Sequence, residues 1–196
     1  MKIIKDNAYD IIRFFVFQIG IAIFSLMLYF SITVVDDDAA SLYIQLAISA
    51  FSILFYLFLV YTAAWDYGAK DKIRIDAGRM QPCPYKGLIM LITANLLNLF
   101  LALLCTLFVG IHIASGVEWL YTAFGVVNMI LRLIASMYIG VINFIFCAVE
   151  SADLAFLLES IGYLVIPFVG VVTGHVGYTL GLKDKRIFAS KKVNKE

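Results

Sequence analysis

Apolar runs dominate this chain, and their length limits it to a lipid setting. Residues 11–35, 42–64, 88–113 and 154–182 are each almost free of charge. Each exceeds the ~20 apolar residues that a helix needs to cross the hydrocarbon core. Residues 117–149 form a further apolar stretch. Hydrophobic residues make up 63% of the chain and charged residues 15%, against about 45–50% and 25% in soluble domains. The longest segment between runs, 65–87, is too short for a folded domain. The whole of 1–196 therefore reads as one membrane-embedded, all-α, polytopic helical domain, with any chemistry in or at the bilayer. The first run is too long for the apolar core of a cleavable signal peptide, and acidic Asp36, Asp37 and Asp38 follow it where small residues would mark cleavage. It is expected to remain as an anchor.

Basic residues set the expected topology. Lys2, Lys5 and Arg13 precede or open the first run. Lys70, Lys72, Arg74, Arg79 and Lys86 lie in 65–87, and Lys183, Lys185, Arg186, Lys191, Lys192 and Lys195 lie in the tail 183–196. Only Arg132 lies elsewhere, whereas the remaining breaks carry acids alone: Asp36–Asp38, Glu118, Glu150 and Asp153. Lys and Arg collect on cytoplasmic flanks. The N-terminus, a 65–87 loop and the tail are thus expected inside, and the acidic breaks outside.

That assignment puts both ends of 117–149 outside, so the segment cannot cross once. Its 33 residues make only about 50 Å of helix, short for two crossings of a ~30 Å core. The expectation is a helical hairpin of two short or tilted arms with Arg132 near its tip, either crossing or re-entrant. Six apolar helices result. The alternative is one long tilted helix.

Candidate functional residues are few. An arginine within a span is expensive and normally faces the bundle interior with a partner. Asn128, Arg132, Ser136, Gly140 and Asn143 would share one face of a continuous helix, and Glu159 in the next run is the natural ion-pair partner. Asn95 and Asn98 share a face with Ala102, Cys105 and Thr106 in 88–113. Asn95, Asn98, Asn128, Arg132 and Glu159 together form the candidate polar pocket; the bland reading is interhelical hydrogen bonding and a structural ion pair. Asp66, Asp71 and Asp76 recur every five residues, which puts them on no common helical face. His175 and His112 stand without a neighbouring acid in sequence.

Gly170, Gly174, Gly177 and Gly181 form a glycine stripe that permits close helix approach, and Pro167 before it predicts a kink. The stripe is expected to receive another membrane protein or a second copy of the chain. Its end belongs to a repeated pattern, aromatic-x-x-Gly-x-Lys-Asp-Lys: Trp65, Gly68, Lys70, Asp71 and Lys72, then Tyr178, Gly181, Lys183, Asp184 and Lys185. The two copies read as equivalent cytoplasmic helix exits, with the aromatics in the interfacial belt and each glycine as the left-handed terminator. Asp71 is expected to pair with Lys183 or Lys185 of the other exit.

No phosphate loop, HExxH, GxSxG or dinucleotide motif is present in the sequence. The three cysteines, Cys83, Cys105 and Cys147, are dispersed, which argues against a disulfide framework or a zinc site. The expectation is a protein without catalytic activity, cofactor, metal or nucleic-acid partner, seated in a bacterial cytoplasmic membrane. A membrane-embedded subunit, scaffold or accessory factor is one reading. In size and span count the chain is similar to small membrane-embedded substrate-binding subunits of importers, which implies the second, a small-solute transport component.

Overall fold

The computed structural model describes Ile4, residues 7–31 and residues 38–185. Most of the acidic turn after the first run, and the tail from residue 186, lie outside the described residues. Among those described, no strand occurs. Eight α-helices follow one another: α1 (Ala8–Phe30), α2 (Asp38–Asp76), α3 (Lys86–Ala94), α4 (Leu96–Ser115), α5 (Glu118–Ile134), α6 (Ile139–Phe146), α7 (Ala152–Val165) and α8 (Pro167–Leu182). A short 3-10 turn, Ser136–Tyr138, joins α5 to α6. Four segments are long and apolar enough to span a membrane, and a fifth if α5 and α6 count as one broken span. The polytopic all-α reading therefore holds.

Two of the expected segments depart from their boundaries. The 65–87 segment is not a loop: α2 continues to Asp76. Its 39 residues make about 58 Å of helix, nearly twice the hydrocarbon thickness. Only residues 77–85 leave the helix, around Pro82 and Pro84, as the missing amide protons there demand. The 88–113 run breaks at Asn95, whose backbone N–H is shared between the Leu91 and Ile92 carbonyls at 3.1 Å each. In the last run α7 gives way to α8 at Pro167, whose missing amide interrupts the ladder. Ile166 keeps helical dihedrals (φ −58°, ψ −39°) and bonds the Gly162 carbonyl at 3.0 Å.

The 117–149 segment is neither a continuous helix nor a folded-back hairpin. α5 and the Ser136–Phe146 arm meet at 86°, around Ala135. The vertex stays well inside the bundle, because Ser136 Oγ donates to the Ala22 carbonyl in the middle of α1 at 2.7 Å. The second arm rises beside the start of α2, where Asn143 Nδ2 donates to Gln45 Oε1 at 3.1 Å. The segment is thus a right-angled pair of arms, the form of a broken span or of a re-entrant loop. The one-face stripe from Asn128 to Asn143 does not exist, since the bend at Ala135 sends its two halves in different directions.

The most extensive helix–helix contact lies between α2 and α8. A Cβ added at Gly68 would overlap the Tyr178 carbonyl oxygen, and one added at Gly181 would overlap the Trp65 carbonyl oxygen. Each would also lie 3.0 Å from the other glycine's Cα. The contact is reciprocal: the aromatic carbonyl of each sequence repeat sits over the glycine of the other. Further along, Gly177 faces the Tyr61 backbone, Gly174 receives Leu91 and Val60, and Gly170 receives Tyr56. The glycine stripe is therefore covered by the chain's own α2 and α3.

This crossing revises the roles expected for the repeat. Gly68 and Gly181 are helical and terminate nothing. The left-handed terminators are Gly78, at φ +70°, and Asp184, at φ +53°. Each closes a Schellman motif, with Arg79 N–H on the Arg74 carbonyl at 2.9 Å and Lys185 N–H on the Leu180 carbonyl at 3.0 Å. Trp65 and Tyr178 are buried and do not form an outward belt. The indole of Trp65 donates to the Lys185 carbonyl at 2.7 Å, just past the end of α8.

Gly68→Ala or Gly181→Ala is expected to lower stability by about 3 kcal/mol, the upper range for overpacking, because backbone on both sides must give. Gly20→Ala and Gly125→Ala, where an added Cβ meets nothing within 4 Å, should leave stability unchanged or slightly raised. Denaturation in mild detergent, followed by tryptophan fluorescence, compares the four variants.

Candidate functional site

Among the described residues two ionic centres, one buried and one partly buried, lie at different places in the bundle. The first grows directly from the α2–α8 crossing. Asp71, three residues past Gly68, points toward α8 and is 2% exposed. Its Oδ2 accepts from Lys86 Nζ at 2.7 Å and from the Tyr178 hydroxyl at 2.9 Å. Arg74, on the same helix, approaches Oδ1 at 3.4 Å from the exposed side. Lys86, at the start of α3, and Tyr178 are also buried. Gly87 allows this, since a Cβ there would stand 2.7 Å from the Tyr178 Cβ.

The expected pairing of Asp71 with Lys183 or Lys185 is thereby corrected. Both lysines are exposed at the end of α8, and Lys86 takes the carboxylate. Lys70 and Lys72 point away as well, Lys70 lying over the Tyr67 ring at 5.5 Å. The physical reason is the overrun of α2. α8 stops at Leu182 while α2 continues, so only Asp71 lies within a helix–helix interface. Asp184 instead occupies a turn. Nothing in the spacing singled out Lys86; its place one residue before an apolar run and a glycine was the available signal.

The second centre lies at the re-entrant vertex. Arg132, in the last turn of α5, donates from Nη2 to Oε2 of Glu159 on α7. The Glu159 side chain is 14% exposed and that of Arg132 35%. Arg132 Nε is buried with no partner among the described residues. Tyr163, one turn beyond Glu159 and fully buried, lies within electrostatic reach of both ions. α4 and α5 run antiparallel through the tight turn at Gly116, so Asn98 near the start of α4 is level with the end of α5. Asn98 is 1% exposed, and neither its Oδ1 nor its Nδ2 has a partner among the described residues.

The other proposed pocket residues behave differently. Asn95 is buried, and its Nδ2 donates to the Leu91 carbonyl at 3.0 Å, where it supports the α3–α4 break. Asn128 is half-buried. Ser136, Gly140 and Asn143 engage α1 and α2, away from Arg132. His112 Nδ1 lies 3.0 Å from the Val117 carbonyl and closes the α4–α5 turn. His175 is half-buried on α8. Among the described residues no three His, Cys, Asp or Glu side chains converge. Cys83, Cys105 and Cys147 are free thiols.

A polar junction that sequence reading missed closes the first turn of α6. Gly140 N–H donates to Ser49 Oγ at 2.8 Å and to the Tyr29 hydroxyl at 3.0 Å, and those two hydroxyls bond each other. Gly140 is required here because a Cβ would overlap the Gln45 carbonyl. The recurrence of Gln18, Ser25 and Tyr29 on one face of the first run was the signal for it.

Comparison with known proteins finds no matching family model, no similar curated protein and no similar solved structure.

Removing one member of a buried ion pair leaves the other uncompensated, at about 3–5 kcal/mol. Asp71→Ala is expected to lose that much, and Tyr178→Phe about 1.5–3 kcal/mol for one hydrogen bond to a charge. The double variant Asp71→Leu with Lys86→Met should recover most of the single-variant loss. Equilibrium unfolding in detergent, arranged as a double-mutant cycle, measures the coupling.

Proposed function

We propose that this chain is a non-catalytic, multi-pass component of the bacterial cytoplasmic membrane that binds a small polar solute at the re-entrant vertex. The observation that carries this reading is the Arg132–Glu159 pair on a helix that ends inside the bundle. Discontinuous helices whose ends meet at depth are the usual way a membrane bundle builds a solute site, because polar backbone there is tolerated only where it lines a cavity or is buried in protein. Arg132 lies about 21 Å along α5 from Glu118, yet about a third of its side chain is not covered by protein. A cation uncovered at that depth costs about 2.5–3.5 kcal/mol against hydrocarbon, and a hydrated or solute-filled environment removes that cost. Unpaired Asn98 adds donors and an acceptor at the same level.

The pair also suggests the chemistry of recognition. A solute bearing a carboxylate would take Arg132 as its bidentate partner, while Glu159 would accept from an ammonium or hydroxyl on the same molecule. A scaffold that associates through its glycine stripe is the weaker reading, since α2 and α3 cover that stripe. The cytoplasmic placement of both termini and of the α2 overhang is retained from the distribution of Lys and Arg.

Thermal unfolding of the purified protein in detergent, against amino acids, simple carboxylates and nucleobases, tests the reading. One class should raise the Tm saturably, with about 2.7 kcal/mol of stabilisation at a hundredfold excess over Kd. The paired variant Arg132→Leu with Glu159→Leu, which leaves no orphaned charge, should fold and lose the response. A panel without any stabilising solute, or a response kept by the paired variant, would count against it.

A further inference from the structure

One cluster of charged side chains stands outside both ionic centres. Arg13 on α1 and Lys70 on α2 converge on the Tyr67 ring. Arg13 Nη1 donates to the Tyr67 hydroxyl at 3.4 Å, and Lys70 Nζ lies 5.5 Å from the ring centroid. The Arg13 guanidinium also lies 5.3 Å from the Phe17 ring centroid. Both cations are exposed, and among the described residues neither forms an ion pair with a carboxylate. Exposed Asp66 lies within electrostatic reach of Arg13, and half-buried Asp10 within reach of the Tyr67 hydroxyl. Two cations and two carboxylates thus surround one ring without pairing.

From this cluster a lane runs along the lipid-facing side of the α1–α2 seam. Arg13, Phe17, Gly20 and Phe24 recur at spacings of four, three and four, so they share a face of α1. Gly20 is exposed, and a Cβ built there meets nothing within 4 Å. Phe24 then meets Phe51 of α2, ring centroids 6.1 Å apart, and Phe51 stacks on Phe55. All three rings are exposed. The lane therefore has a charged head, an open bed at Gly20 and an aromatic floor. From Arg13 to Phe24 is about 16 Å of rise, half of the ~30 Å hydrocarbon core and so the depth of one leaflet.

We propose that this lane holds one phospholipid of the leaflet next to the α1 N-terminus, its phosphate between Arg13 and Lys70 and one acyl chain over Gly20. Arg and Lys at a membrane interface are the side chains that bind phospholipid headgroups, and the Arg13 fork suits two phosphate oxygens. The carboxylates select the headgroup class. Asp10 and Asp66 would accept from a primary ammonium, whereas a net anionic headgroup would meet them as like charges. The cluster fits a phosphate ester that also carries an ammonium, as in phosphatidylethanolamine. The inference does not depend on solute recognition at Arg132.

Native mass spectrometry of the full-length protein in detergent tests it, by titration with phosphatidylethanolamine, phosphatidylcholine and phosphatidylglycerol of equal chain length. Phosphatidylethanolamine should bind about fivefold or more tightly than either, the scale of one interfacial charge contact. The paired variant Arg13→Gln with Lys70→Gln should weaken that binding at least about tenfold. Its Tm should not change, since both side chains are exposed. Asp66→Asn should cancel the preference over phosphatidylglycerol. Gly20→Leu, which fills the lane, should weaken binding, while Gly125→Leu, at the exposed open glycine of α5, should not. Soluble phosphoethanolamine should fail to compete, because it lacks the chain. Affinity for phosphatidylethanolamine no higher than for either other lipid would overturn the assignment. So would binding kept by the paired variant or by Gly20→Leu, or displacement by soluble phosphoethanolamine.

Discussion

Everything at one end of this bundle depends on the backbone-to-backbone contact of Gly68 with Gly181. Lipid tails are as apolar as leucine, so helices in a bilayer gain little from burying apolar surface against each other and rely on close packing. Here α2 and α8 approach until each glycine lies beneath the other helix's carbonyl. That proximity brings the Tyr178 hydroxyl to Asp71 and the Trp65 indole to the end of α8. A wider separation would leave Asp71 and Lys86 desolvated without their third partner, which is the costly arrangement for a buried pair. The ionic cluster is therefore a consequence of the glycines, and it fixes α3 against both helices.

The opposite solution operates at the re-entrant segment, where helices stop short. Breaks at Asn95 and Ala135 each expose backbone groups that a continuous helix would satisfy. The chain answers with side chains: Asn95 bonds a carbonyl of its own turn, Ser136 reaches across to α1, and Ser49 with Tyr29 receives the Gly140 amide. Arg132 with Glu159 stands beside the sharper of these breaks.

Hydropathy made the four apolar spans legible, because the bilayer imposes length and composition directly, but not their division into shorter helices at Asn95 and Pro167. Termination was less legible. A glycine after an apolar run looks the same whether it ends a helix or packs one, and Gly68 and Gly181 do the second while Gly78 and Asp184 do the first. Lys70 and Lys72 suggested an exit at 65–72, but an amphipathic helix continues through charged residues as readily as a loop does. The Arg132–Glu159 pairing could be anticipated because each is an isolated charge in an apolar run. Asp71 with Lys86 could not, because both lie among many charges and only the crossing selects them.

α2 is the one helix shared by the two polar regions. Ser49 belongs to the Gly140 junction and Asp71 to the ionic cluster, with uninterrupted α-helix between them. From Ser49 to Asp71 is about 33 Å of rise, and no proline falls in that interval to absorb a bend. Such a rod cannot turn at one end alone. Its two ends are geared: a roll that shifts Ser49 against the re-entrant arm must also swing Asp71 against Lys86 and Tyr178. The interrupted helices around it are the compliant parts, and α2 is the shaft on which they are mounted.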